Sequence, residues 1–206
     1  MRHDDNNLGL PEDPLEGFAT WLADAERGAL PEPTAMTLAT ATREARPSAR
    51  IVLFKGLSQG LDGRKGIRFF TNYTSRKSEE LIDNPFASVV FHWTTLQRQI
   101  RMEGRVEKLS SEESDQYFQS RDRGSRIGAW ASPQSQRIDH RFQLEELVQR
   151  TEERFKQGEI PCPPHWGGWR LIPNRVEFWQ GKSHRLHDRF IYEWASGVWQ
   201  STRLAP

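Results

Sequence analysis

A chain of 206 residues with 35% hydrophobic residues, 8 Trp and 11 Phe can bury a core of its own, which excludes a disordered polymer. Its longest apolar runs, such as residues 51–54, fall far short of the roughly 18 residues of a membrane span, and no apolar stretch behind Met1 reads as a secretory signal. The net charge of +1 argues against general nucleic-acid binding, and Cys162 as the only cysteine excludes an internal disulfide and a cysteine-based metal site, so a cytoplasmic protein is expected.

Residues 1–12 read as a mobile polar arm, followed by one domain over 13–206. Leu15, Phe18, Trp21, Leu22 and Ala25 recur at helical spacing, with Gly28 as the stop. Residues 35–42 alternate and form a strand. Residues 49–55 form a second, expected to be buried on both faces at its centre. Residues 56–66 carry Gly56, Gly60, Gly63 and charges, a hairpin loop before a strand at 67–71. Ser75 caps a short helix that ends at Asn84-Pro85, because proline disfavours helix at the residue before it. Strands follow at 87–93 and 97–109, the second broken by Gly104.

The middle third is helical. Ser110 and Glu113 make a capping box for a helix through Phe118. A short piece spans 125–131. A longer helix spans 138–155, with Phe142, Leu147, Val148 and Phe155 inward. Strands return at 169–172, 175–180, 190–194 and 198–203. Eight or nine strands with hairpin-length links and four or five flanking helices imply a mainly β, α+β chain built on an antiparallel barrel. No Gly-x-Gly-x-x-Gly follows a strand.

Charge is uneven: ten Lys/Arg stand against five acids over residues 50–105. Arg50 and Lys55 flank an apolar strand. Arg76 and Lys77 sit in the first turn after Ser75, where backbone N–H groups and cations both suit an anion. Arg98, Gln99 and Arg101 interleave amide and guanidinium. Tyr117, Arg121, Arg123, Ser125 and Arg126 suit a phosphate dianion, or a salt-bridged surface. Arg185, His187 and Arg189 share a face if they lie on a strand. They then need an anion among them, or pairing with Asp188 or Glu177. No second histidine stands at ligand spacing, so no metal is expected. Together these clusters suggest two planar, anionic ligands, a phosphorylated cofactor beside a phosphorylated substrate.

These motifs resemble the pyridoxamine 5′-phosphate oxidase family. The matching stretches begin with Arg50, Ile51, Val52, Leu53, Phe54 and Lys55. They continue with Phe70-Thr71-Asn72-Tyr73, Ser75-Arg76-Lys77, Asn84-Pro85, Arg98-Gln99, Tyr117-Phe118 and Ser120-Arg121. Then come Ile127-Gly128-Ala129-Trp130-Ala131-Ser132, Gln134-Ser135, Trp166-Gly167-Gly168 and Glu177-Phe178-Trp179-Gln180. Residues 185–189 and the ending Arg203-Leu204-Ala205-Pro206 close the series. The resemblance runs in order from about Asp13 to the last residue.

It implies an FMN-binding split β-barrel homodimer, with FMN at the subunit interfaces. It assigns Arg50, Ile51, Val52, Leu53, Phe54, Lys55, Phe70, Thr71, Arg76, Lys77, Gln99, Gln134, Ser135, Trp179 and Arg189 to FMN. It assigns Lys55, Tyr117, Arg121 and Ser125 to the substrate phosphate, and Arg185, Leu186 and His187 to the substrate ring, Arg185 and His187 as the catalytic pair. The implied reaction oxidises pyridoxamine or pyridoxine 5′-phosphate to pyridoxal 5′-phosphate, with molecular oxygen as acceptor. Alternatives are a phenazine-pathway type of flavin oxidase and a non-catalytic FMN or pyridoxal-phosphate carrier. Departures from the family pattern are an acidic arm without Tyr, Asp122 where Pro is usual, Arg126 where Gln is common, and a long loop over 57–65.

Overall fold

The computed structural model describes residues 8–206, which carry nine β-strands and five α-helices. Helix α1 (Pro14–Arg27) starts where the Asp13 carboxylate accepts the Leu15 N–H at 2.8 Å, and it ends at Gly28. Its predicted stripe is buried against the sheet. Strands β1 (Ala35–Ala41), β2 (Pro47–Leu53), β3 (Leu57–Gln59) and β4 (Lys65–Asn72) follow, then α2 (Arg76–Asp83), β5 (Phe86–Trp93) and β6 (Arg98–Lys108). Helices α3 (Ser111–Gln119), α4 (Arg123–Ala131) and α5 (Arg141–Arg154) precede β7 (Trp166–Gln180), β8 (Asp188–Ala195) and β9 (Val198–Leu204). Both hydrogen bonds of the Ser110–Glu113 capping box are present.

All ladders are antiparallel, in the order β2-β1-β5-β6-β7-β4-β3, with β8 and β9 continuing from β7. Strand β7 explains the split. One edge pairs with β6 along its length. The other serves β4 up to Leu171 and β8 from Arg175. Pro173 has no N–H to donate and lies at the changeover, where neither β4 nor β8 pairs with it. The two strands expected over 169–172 and 175–180 are therefore one. At the far end, Lys55 N–H donates to Arg68 O at 2.8 Å and Arg68 N–H to Gly56 O at 2.9 Å, drawing the end of β2 toward β4.

Gly104 marks a bulge rather than a break. Glu103 pairs with Arg175 but Gly104 with Pro173, leaving Asn174 as the extra residue. A Cβ on Gly104 would lie 2.0 Å from Ile172 O and 2.7 Å from the Pro173 Cα, both main-chain atoms. Gly104→Ala is expected to cost about 1–3 kcal/mol, because the clash is with backbone and no rotamer relieves it. At this chain length that lowers Tm by roughly 2–12 °C in a calorimetric scan; an unchanged Tm would refute the packing argument.

The main core joins α1 to the sheet. Phe18 meets Phe54 edge-on at 5.1 Å and Phe91 at 4.9 Å, and Trp21 meets Phe178 at 5.1 Å. Each such ring contributes about 1.5–3 kcal/mol by burial. A second cluster of Phe118, Ile127, Phe155, Ile160 and Trp166 lies under the middle helices.

Several expectations need correction. The centre of β2 is not buried on both faces: Ile51 is 64% exposed and Leu53 36%. Its alternation turns Ser48, Arg50 and Val52 inward and leaves Ile51 and Leu53 outside. Phe142 is 65% exposed and no residue of α5 is buried. A short strand, β3, interrupts the loop expected over 56–66. Of the arm expected over 1–12, residues 1–7 lie outside the described residues, while Leu10 is buried and the Tyr192 hydroxyl donates to Pro11 O at 3.0 Å. No helix among the described residues is long and apolar enough to cross a membrane.

Candidate active site

A cavity of about 670 Å³ opens between β2, β4, α2, α3 and the loop after α4. It collects Arg50, Ile51, Val52, Leu53, Lys55, Phe70, Thr71, Arg76, Lys77, Tyr117, Arg121, Gln134 and Ser135, so most residues of the first two predicted clusters meet here. Ser125 lines an adjoining cavity of about 220 Å³, which shares Arg121, Gln134 and Trp166 with the larger one. Phe54 lines neither; its ring belongs to the core.

One wall is cationic. Arg50 donates to Leu38 O at 3.1 Å and Thr40 Oγ1 at 2.6 Å, and also to Ser48 Oγ. These bonds aim a half-buried guanidinium that would otherwise sample many rotamers. Glu80, almost fully buried on α2, accepts from Ser48 at 2.6 Å, from Arg76 Nε at 2.9 Å and from Thr40. Burial pushes the Glu80 carboxyl up, but those hydrogen bonds and the Arg50 charge outweigh it and hold it at about 2. Lys77 donates only to neutral oxygens: Thr71 Oγ1 at 3.0 Å, Ser75 Oγ at 3.0 Å and Gln134 Oε1 at 2.9 Å. Burial, and then the Arg50 charge, lowers its ammonium to about 8. Two guanidiniums therefore share one carboxylate, and Lys77 has no acid partner, an arrangement short of negative charge. Ser75 stands at the N-cap of α2 as expected, but its hydroxyl accepts no N–H of the first turn; it donates to Asn72 O at 2.7 Å and receives Lys77.

The opposite wall is aromatic. Tyr117 stacks on Phe70 at 3.9 Å, and Trp166 lies nearly parallel to both. Arg121 extends over the Trp166 ring at 4.9 Å. Its Nη1 is buried with no hydrogen-bond partner among the described residues. A buried donor left unpaired costs about 1–3 kcal/mol, so the site is built for an acceptor that the protein does not supply. Asp122 does not take that role. It caps α4, accepting the Ser125 N–H at 2.8 Å. The Arg126 guanidinium donates to Gln119 Oε1 at 3.0 Å.

None of Gln99, Trp179, Arg185, Leu186, His187 and Arg189 lines this cavity. Gln99, Trp179 and Arg189 form a cross-strand row on β6, β7 and β8. Arg189 donates to Glu177 Oε1 at 2.8 Å and Ala205 O at 2.9 Å, while Glu177 also receives Arg101 at 2.8 Å. Arg185 and His187 are not on a strand with Arg189, contrary to expectation. Ser183–Arg185 is a 3-10 turn and β8 starts only at Asp188. The chain thus carries two separate half-sites. Among the described residues, no three His, Cys, Asp or Glu groups are placed to hold a metal.

Residues 22–154 match the family model for pyridoxamine 5′-phosphate oxidase. The chain belongs to the pyridoxamine 5′-phosphate oxidase family. Residues 166–206, which hold Trp179, Arg185, His187 and Arg189 of the second half-site, match the model of the pyridoxine 5′-phosphate oxidase C-terminal dimerisation region. The chain is 50% identical over 213 residues to a pyridoxine/pyridoxamine 5′-phosphate oxidase of Pseudomonas savastanoi pv. phaseolicola, covering 100% of this chain and 97% of that one. It is 49% identical over 197 residues to one of Synechocystis, covering 96% and 90%. A solved structure of PhzG from Burkholderia lata 383, in complex with tetrahydrophenazine-1-carboxylic acid, superposes with TM-score 0.89 at 32% identity, over 100% of this chain and 97% of that one. An FMN-binding pyridoxamine 5′-phosphate oxidase-related protein of Nostoc punctiforme, at TM-score 0.74 and 20% identity over 94% of this chain and 98% of that one, shares the fold. The split barrel expected from the motifs is thereby met.

Within this pyridoxamine 5′-phosphate oxidase fold, two cavity features escape the motif reading. Glu80 sits four residues after Arg76, and helical i,i+4 spacing was its available signal. Trp166 opens a motif stretch, but its support of Arg121 shows only once β7 is laid beside α3.

Proposed function

We propose that this chain is an FMN-dependent oxidase that converts pyridoxine or pyridoxamine 5′-phosphate to pyridoxal 5′-phosphate, as a homodimer in the cytoplasm. The observation that carries the reading is the unpaired Arg121 guanidinium on its aromatic wall, in the same cavity as the acid-poor cluster of Arg50, Arg76 and Lys77. Two anion-seeking sites flank one space, which suits a flavin phosphate and a substrate phosphate.

The donor set fits FMN. Arg50, Arg76, Lys77, Thr71, Gln134 and Ser135 would hold it, joined by Gln99, Trp179 and Arg189 of the second half-site. When bound, FMN supplies a two-electron acceptor for hydride from the substrate C4′, with molecular oxygen taking the electrons on and leaving as hydrogen peroxide. The chain's own residues bind and orient. Arg121, Tyr117, Ser125 and Lys55 hold the substrate phosphate, which fixes the ring and brings C4′ into reacting position. Arg185 meets the reacting end of the substrate. In pyridoxamine 5′-phosphate oxidation, water then hydrolyses the imine and ammonia leaves.

The two half-sites support the dimer. The row of Gln99, Trp179 and Arg189 is absent from the cavity of its own chain, and Trp179 and Arg189 lie within the stretch matching the dimerisation region. The apolar outer side of β2, with Ile51 and Leu53, is exposed beside the cavity and gains a covering in such an assembly.

Purified protein incubated with FMN tests the reading. It is expected to be yellow, dimeric, and to release hydrogen peroxide with pyridoxine 5′-phosphate. A colourless monomer without turnover refutes it. A PhzG-type oxidase would instead prefer a substrate without phosphate, which leaves Arg121 without an acceptor.

Lys77 makes FMN affinity pH-dependent. Its ammonium titrates at about 8 in the FMN-free protein, and a phosphate beside it raises that value. Binding favours the protonated form, so affinity is full below pH 8 and falls by about tenfold per pH unit above it, until the bound-state value is reached. Lys77→Met is expected to flatten this profile, read by fluorescence titration of FMN. The same profile in both proteins would assign the titration elsewhere.

A further inference from the structure

We infer that His187 is a positioning residue that acts through Arg185: its Nδ1 receives the Lys182 N–H and so holds the turn that presents the Arg185 guanidinium. The inference rests on the proposed oxidase reading for what Arg185 meets, but not for the clasp itself.

The loop between β7 and β8 is tied at its start, where Gly181 N–H donates to Gln97 O at 2.7 Å. It then turns through Ser183–Arg185, with Leu186 N–H donating to Ser183 O at 3.1 Å. His184 and Arg185 have φ of 57° and 62°. Two successive left-handed residues that both carry a Cβ are disfavoured in an isolated chain, so something outside the turn must hold them. The Lys182 N–H to His187 Nδ1 bond, 3.1 Å, spans the base of the loop and does this. Lys182 Nζ lies 3.6 Å from Asp188 across the same base, but both groups reach solvent and the pair adds little.

A backbone N–H can only donate. Nδ1 of His187 is therefore the unprotonated nitrogen, and the ring is neutral with its proton on Nε2. The ring is half-buried and packs against Trp179 at 4.6 Å, which fixes its plane. Arg185 itself is exposed, and among the described residues its guanidinium has no polar partner. The point from which its side chain reaches is set by the backbone, and the backbone is held by the clasp. A residue whose reach depends on a turn loses up to about 10²-fold in rate when it is displaced by an ångström.

Asparagine and glutamine separate the two ring nitrogens. The Asn oxygen stands where Nδ1 stood and can keep the clasp. The Gln oxygen stands nearer Nε2 and cannot. In the FMN-loaded dimer, anaerobic flavin bleaching by pyridoxine 5′-phosphate is expected to slow by about 10- to 100-fold in His187→Gln. Hydrogen exchange at the Lys182 amide is expected to accelerate in the same variant. His187→Asn is expected to recover both the bleaching rate and the protection that Gln loses. Arg185→Ala/His187→Gln should bleach no more slowly than Arg185→Ala, because the two act in series. Three results overturn the inference: recovery by Gln but not Asn, additive losses in the double variant, or Lys182 exchange unchanged in His187→Gln. If the wild-type protein never bleaches, the oxidase reading fails, and the Lys182 exchange in His187→Gln and His187→Asn still decides the clasp.

Discussion

Arg121→Ala is expected to raise KM for pyridoxine 5′-phosphate by about 10- to 150-fold while kcat stays within a factor of about three. The guanidinium is held by Trp166 on one side and buried around Nη1, which has no acceptor among the described residues. A charge-assisted bond to a phosphate is worth about 1.5–3 kcal/mol, which sets the range. The phosphate takes no part in bond making or breaking. It is therefore gripped equally in the ground and transition states, and its loss falls on binding rather than on the chemical step. Pyridoxine without its phosphate supplies the control, since its kcat/KM should be little altered by the substitution. Steady-state peroxide release with both compounds makes the measurement. An unchanged KM for the phosphorylated compound would place its phosphate away from Arg121.

Local signals in the sequence were sound where local physics decides. The stripe of α1, its Gly28 stop and the Ser110–Glu113 capping box depend on neighbours within about one turn. Readings went astray where the deciding partner is remote. Ile51 and Leu53 are as apolar as any core pair, so the strand was read as buried on both sides. In one chain they face outward beside the cavity, and their composition answers to a surface that a second copy would cover. The two pieces of β7 looked separate because Pro173 and Asn174 interrupt the pattern. The strand runs on because its partners change there.

The cations of the cavity were legible as a group, since Arg76, Lys77 and Arg121 stand in recognisable company. Their energetics were not. Gln134 reaches Lys77 from 57 residues away, and only the fold shows that no acid accompanies it. Asp122 illustrates the reverse. Flanked by Arg121 and Arg123, it stands in the sequence as an acid inside a basic cluster, yet its carboxylate is committed to the first turn of α4. The strand expected to carry Arg185, His187 and Arg189 on one face failed for a related reason: alternation says nothing about where a strand starts, and the left-handed pair His184 and Arg185 lies outside it.

Arg185→Ala is expected to slow flavin reduction by about 10²- to 10³-fold with FMN still bound. The range is that of removing one preorganised charged donor from the place where charge changes in a transition state. Arg185 differs from Arg121 in kind. It is exposed on a turn, it makes no polar contact among the described residues, and in the proposed reading it meets the substrate at its reacting end. Hydride leaving C4′ would carry negative charge toward the acceptor, and a guanidinium placed where that charge arrives would stabilise the transition state more than the ground state. The loss therefore falls on the rate at saturating substrate, not on KM. FMN retention is expected because the residues proposed to hold its phosphate lie in the other half-site. Anaerobic stopped-flow at 450 nm or about that wavelength isolates this half-reaction from oxygen chemistry. Should Arg185→Ala bleach at the wild-type rate, in a protein whose turnover is limited by that step, the arginine would be reassigned to binding the ring, and the KM of the same variant would then carry the loss.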